Sequence, residues 1–96
     1  MNRAAARLAH ALVRSAAERG VALRAEHRGA EPWSSVTFTG ERHTLAITAD
    51  AGEAFDALLA GLPEAEVNVV GWLVAECAAV RVDAGEAVLE VLLLET

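Results

Sequence analysis

Three histidines, one cysteine and two tryptophans are the side chains here best suited to chemistry. His10, His27 and His43 could serve acid–base steps or ligate a metal, because imidazole titrates near neutrality and offers a nitrogen lone pair. No two of them have the i, i+4 spacing that sets a zinc pair on one helix face, and no carboxylate accompanies them in such a pattern. The strand parities of His27 and His43 point both inward. Either the two converge, or each imidazole keeps one local hydrogen bond. With Trp33 in the adjoining loop, His27 and His43 define the candidate ligand pocket.

Cys77 could be a nucleophile, but its position on the inward face of a strand reads as a small buried hydrophobe. Glu76 and Glu90 share one sheet face as diagonal neighbours, within roughly 7–8 Å for a regular ladder. Paired carboxylates can run hydrolysis. Their surroundings are valine and leucine, without sugar-stacking aromatics, so charges that stop an apolar face from stacking at random are the better reading. Trp33 and Trp72 lie in or beside loops, where each plugs an end of the fold or lines a contact site. Gly40 and Gly52 stand alone, with no phosphate-binding loop around them, and Ser34-Ser35 belongs to no recognisable triad. No catalytic residue is nominated, no metal or cofactor is expected, and an enzyme is the less favoured reading.

Charge narrows the partners. The chain carries −6 overall, but residues 1–28 hold six arginines against two glutamates, net +4, and residues 29–96 hold two arginines against twelve carboxylates, net −10. An arginine-rich front end complements the acidic remainder. Nucleic-acid binding asks for a basic domain with a stripe of interleaved aromatic or polar groups, which this composition argues against. At 54% hydrophobic residues, disorder is excluded. A single cysteine cannot form an internal disulfide framework or a cysteine-rich zinc site, which favours a reducing, cytoplasmic setting. The longest apolar stretch, Val67 to Val82, is cut by Asn68, Gly71 and Glu76 and falls short of the ~20 residues of a membrane span. Arg7, His10 and Arg14 interrupt any secretory h-region, so the N-terminal segment reads as an ordinary first helix.

The elements that must position these residues are legible from periodicity. Asn2 can cap a helix running to about Arg19 and closed by Gly20, with Ala5, Leu8, Ala9, Leu12 and Ala16 as its buried stripe. Val21–Arg28 alternates as a half-buried strand, and residues 29–34 read as a loop. Val36–Thr39 and Arg42–Ala49 pair through a Gly40-Glu41 turn, setting Phe38 against His43 and Val36 against Leu45. Asp50 caps a second helix with Glu53 returning the bond, and Phe55, Leu58, Leu59 and Leu62 are its apolar stripe. Glu66–Val70 is a short strand.

The last twenty-four residues form a hairpin that is apolar on both faces. A three-residue loop, Asp83-Ala84-Gly85, with Gly85 as its left-handed bulge residue, spares Ala84 the positive φ that a two-residue loop would impose. Leu73, Ala75, Cys77, Ala79, Leu89, Val91 and Leu93 fall on the face assigned to the core. Val74, Val80, Val82, Val88, Leu92 and Leu94, with Glu76, Glu86 and Glu90 among them, fall on the other.

These elements give the order α-β-β-β-α-β-β-β over a single domain, 1–96, of α+β class: a two-layer sandwich with two helices on a mostly antiparallel sheet. An uncovered apolar sheet face is a contact surface. The function expected is therefore a protein-interaction or homodimerisation module. Its surface is Val74, Val80, Val82, Val88, Leu92 and Leu94, and its partner a second copy or another protein. The alternative is a small ligand-binding or enzyme subunit using the His27, Trp33 and His43 pocket.

Overall fold

The structure, a computed structural model, describes residues 3–96. Helix α1 (Arg3–Glu18) is followed by β1 (Arg24–Ser34), β2 (Thr39–Thr48), α2 (Glu53–Gly61), a 3-10 turn (Leu62–Glu64), β3 (Trp72–Asp83) and β4 (Glu86–Glu95). The sheet order is β1-β2-β4-β3, antiparallel throughout. Two helices packed on one antiparallel sheet is the α+β arrangement that the periodicity predicts.

Helix α1 forms where the three-four spacing placed it. Ala4, Ala5, Leu8, Leu12 and Ala16 are buried, and these short side chains let the helix lie close on β1. Gly20, at φ 77°, ends it, with Val21 N–H on Ala16 O and Gly20 N–H on Ala17 O, the pair of bonds that satisfies the last carbonyls of a helix. The expected cap, Asn2, lies outside the described residues.

The strand runs are fewer and longer than the expected order implies. The first run continues through the expected loop to Ser34, interrupted only by a bulge at Arg28. Pro32 is tolerated in it because β1 is an edge strand, where a missing amide donor breaks no ladder bond. The chain then reverses at Ser35–Phe38, not at Gly40-Glu41. Ser35 N–H donates to Phe38 O at 2.8 Å, and Ser35 Oγ accepts from the amides of Thr37 (3.3 Å) and Phe38 (3.1 Å). A serine hydroxyl that bonds its own backbone makes this turn.

Residues 39–48 are consequently one strand. Val36 and Phe38, expected to pair with Leu45 and His43, stand exposed at the tip instead. Gly40 is buried inside β2, where a Cβ would collide with the backbone carbonyl oxygen of Leu93. Its glycine serves close strand approach, not a turn. The expected short strand Glu66–Val70 is reduced to a single bridge, Val69 to Trp72.

Helix α2 begins at Glu53 with Gly52 at the cap position and no side-chain cap bond, so Asp50 does not play the expected role. Its apolar stripe, Phe55, Leu58 and Leu59, is buried with Leu62 as expected. In the last hairpin Asp83 pairs with Glu86, so the loop is the two residues Ala84 and Gly85 and not the expected three; the odd residue is taken up by the bulge at Val80 instead. Gly85 takes φ 70° and no non-glycine residue among those described has a positive φ, so Ala84 is spared the strain as expected.

Both helices send their apolar residues into one core with Leu45, Ile47, Cys77, Leu89, Val91 and Leu93. The helices therefore cover most of this inner face, leaving Val82 55% exposed near the last turn. If the burial of a large aliphatic side chain contributes about 1.5–3 kcal/mol, Leu8, Leu45, Ile47, Phe55, Leu89 and Leu93, all at most 1% exposed, are the main source of stability.

Two bulges in β3 decide which residues share that face. Register shifts fall between Val74 and Glu76 and between Ala79 and Arg81. Each inserts one residue, and each inserted residue reverses the in-out alternation. Val74 therefore lies opposite Leu93, and Val82 opposite Ala87, on the helix side, while Leu73 pairs with Leu94 on the outer side. The expected faces hold for Cys77, Ala79 and β4, and are exchanged for Leu73, Val74 and Val82.

Candidate functional site

The bulge at Arg28 sets the histidines together. It pairs His27 with Leu45 and Ala30 with His43, so the two imidazoles are diagonal neighbours on the inner face. His27 Nε2 lies 2.8 Å from His43 Nδ1, and the rings meet edge-on at 63° with centroids 5.0 Å apart. His43 Nε2 lies 2.8 Å from Glu41 Oε1. His43 is wholly buried, and both of its neighbours reach the surface in part.

Protons follow from valence. A carboxylate only accepts, so His43 Nε2 carries the hydrogen directed at Glu41. The Nδ1 of a neutral His43 must then accept, and His27 Nε2 donates to it. Two hydrogens cannot occupy the His27–His43 contact, so charging both rings breaks it. Burial, reinforced by the neighbouring His43 and opposed by Glu41, holds the His27 pKa below its ordinary value.

Sequence parity correctly pointed both histidines inward. Glu41 was missed because it was placed in a turn; two residues before His43 on one strand, it shares its face by simple alternation. The three side chains form a line, each nitrogen aimed at its neighbour, and leave no common point for a metal ion.

Trp33 does not join them. It pairs with Gly40 on the opposite face of the sheet. None of the surface hollows around Ala46, Arg14, Asn68 and Thr44 has His27, Trp33 or His43 in its lining. The imidazole chain is a buried polar link between β1 and β2, with His43 shielded from solvent. Cys77, opposite Val91 and buried, has its thiol pKa pushed up to about 11 by that burial, which suppresses the reactive thiolate.

The outer face is organised as rows crossing all four strands. At one end Trp33, Gly40, Leu94 and Leu73 are register neighbours. The next row is Glu31, Arg42, Leu92 and Glu76, followed by Gly29, Thr44, Glu90 and Ala78. Glu26, Ala46, Val88 and Arg81 come next, and Arg24, Thr48, Glu86 and Asp83 close the far end. The two central strands carry Ala46, Val88, Leu92 and Leu94 with Arg42, Glu86 and Glu90 among them, and both edge strands carry further charges. Arg24, Glu26, Arg81 and Asp83 rim one open hollow of about 640 Å³ over Ala46 and Val88.

Of the six residues expected to form the contact surface, Val88, Leu92 and Leu94 lie on this face. Val80 sits at a bulge, 57% exposed, and Val74 and Val82 belong to the helix side. Leu92 and Leu94 are buried yet outside the helix-side core. For Leu92 the cover is visible: Arg42 Nη1 reaches Glu76 Oε2 at 3.4 Å, and these residues flank it on the two adjacent strands. Glu76 thus has a specific partner. Leu73, assigned to the core by simple alternation, is 52% exposed on the outer face.

No helix among the described residues is long and apolar enough to cross a membrane. Comparison with family models, curated proteins and solved structures finds no match.

Proposed function

We propose that this protein is a homodimerisation module that associates through the outer face of its sheet. The observation carrying this reading is the one-sided core: both helices cover the inner face, while Trp33, Leu73, Val88 and the bulge residue Val80 are left on or beside a face that no other element of the fold covers. Five rows across four strands make about twenty residues, the lower end of the roughly 20–30 that each partner contributes to a standard interface. Both edges carry arginine and carboxylate together, so the face suits a surface of mixed sign, as a second copy would offer, and not a polyanion.

Trp33 provides the test. In a Trp72→Phe variant it is the sole tryptophan, and its emission should shift to the blue as protein concentration rises through the micromolar range. Emission independent of concentration, in a protein that also sediments as a monomer, would refute the reading.

A further inference from the structure

Resting on the dimer reading, we infer that the second copy is seated with its two-fold axis parallel to the strands, midway between β2 and β4, so that β1 of each protomer lies over β3 of the other. A dimer of this kind uses the same patch on both subunits, so the face must complement itself under one rotation. In the aligned class of sheet packing two sheets keep their strands within about 30° of each other. That leaves two simple axes to compare, one along the strands and one across them.

Rotation about the axis along the strands keeps each row and exchanges its ends. Trp33 then meets the partner's Leu73, and Gly40 meets the partner's Leu94, so the apolar end closes on itself. At the opposite end Arg24 meets the partner's Asp83, and Glu26 meets the partner's Arg81. Each of these contacts occurs twice. Beside the axis Ala46 meets the partner's Val88, and in the middle row Thr44 can donate a hydroxyl hydrogen bond to the partner's Glu90 while Gly29 meets the partner's Ala78. One superposition joins like charges, Glu31 on the partner's Glu76, and Arg42, held at 3.4 Å from Glu76 within its own protomer, stands in that same row to neutralise it.

Rotation about the axis across the strands keeps each strand and exchanges the rows. It sets Trp33 on the partner's Arg24, Leu73 on the partner's Asp83 and Leu94 on the partner's Glu86. An apolar row against a charged one is costly to desolvate, so the first axis is favoured. The exposure of the charged end agrees with it. Arg24, Glu26, Arg81 and Asp83 are all exposed and line one hollow together with Ala46 and Val88, so these side chains are free to meet an opposing copy.

Charge exchange tests the arrangement. Arg24 and Asp83 are three strand spacings apart within one chain, about 14 Å, more than a Debye length of about 8 Å at physiological salt. Rescue between them therefore reports contact between copies. Dimer dissociation constants would be measured by sedimentation for Arg24→Asp, Asp83→Arg and the double variant. Each single change should weaken the dimer about threefold to thirtyfold, because two exposed pairs become repulsive at once, and the double change should restore it to within about threefold. Glu26→Arg with Arg81→Glu repeats the test independently, and all four positions are exposed, so folding is undisturbed. Non-additivity in both pairs supports the arrangement. A dimer that Leu73→Arg disrupts but neither double variant rescues overturns this seating and leaves the outer-face dimer standing. A monomeric parent protein overturns both.

Discussion

Arg42 Nη1 reaches Glu76 Oε2 at 3.4 Å across the top of Leu92, joining β2 to β3 over the strand between them. This ion pair explains how a leucine on the uncovered face comes to be only 4% exposed. Partly exposed pairs contribute little Coulombic energy, about 0–1 kcal/mol, and the aliphatic stem of an arginine shields apolar surface besides. Arg42→Ala should therefore lower stability by about 1 kcal/mol and expose Leu92, with increased binding of a hydrophobic dye at the outer face. Unchanged dye binding would show that Leu92 is covered by something else.

His43 has the opposite exposure and a larger effect. It is fully buried and touches both His27 and Glu41. His43→Ala leaves a cavity and removes the partner of two polar groups. The expected loss is about 2–4 kcal/mol, read as a lower urea midpoint. His10→Ala, on the exposed face of α1, should change stability by no more than about 0.5 kcal/mol. Equal effects would contradict the buried link.

Acid should weaken the fold through His27. Its folded pKa is lowered, first by burial and then by His43, so the unfolded chain binds its proton more readily. The stability contributed is fully present above the unfolded value of about 6.5 and is lost as pH falls through the lowered folded value. Urea midpoints measured on either side of this window should fall more steeply in the parent than in His27→Gln. Parallel curves would remove His27 as the cause.

Gly40 and Gly85 carry different constraints. A Cβ on Gly40 would collide with Leu93 O, a backbone atom that cannot turn aside. Gly40→Ala should cost about 3 kcal/mol, the upper end of the usual range for overpacked sites. Gly85 has φ 70° and a Cβ there would lie 2.7 Å from Ala49 O. Gly85→Ala should cost at least about 1 kcal/mol from the left-handed backbone alone. Thermal or urea unfolding of the two variants checks both; a neutral Gly40→Ala would contradict the close approach of β2 and β4.

Much of the fold was legible because periodicity survives wherever an element is regular. The alanine-leucine stripe of α1, Gly20 after it, the Phe55–Leu59 stripe and the turn glycine Gly85 all stand where residue types predict. Bulges were not legible. Inserting Ala75 or Val80 into β3 reverses the faces without a residue that announces it, and Leu73, Val74 and Val82 changed sides for that reason. The Ser35–Phe38 turn escaped because Gly40-Glu41 offered a stronger turn signature, and glycine's close strand approach cannot be told from a turn without the neighbouring strand. The inward parity of His27 and His43 survived these shifts, but their bond depends on the Arg28 bulge, and Trp33 went to the other face. The outer-face rows, two of which carry opposite charges at their two edges, became visible only once the strand order was known.

Self-association through the outer face is tested most directly by sedimentation of the parent and of Leu73→Arg at micromolar concentration, with Ala60→Arg on the exposed side of α2 as control. Leu73 is already 52% exposed, so a charge there leaves the fold intact. A dimeric parent and control beside a monomeric Leu73→Arg is the predicted result. A parent that sediments as a monomer, or a Leu73→Arg dimer as tight as the parent, would contradict it.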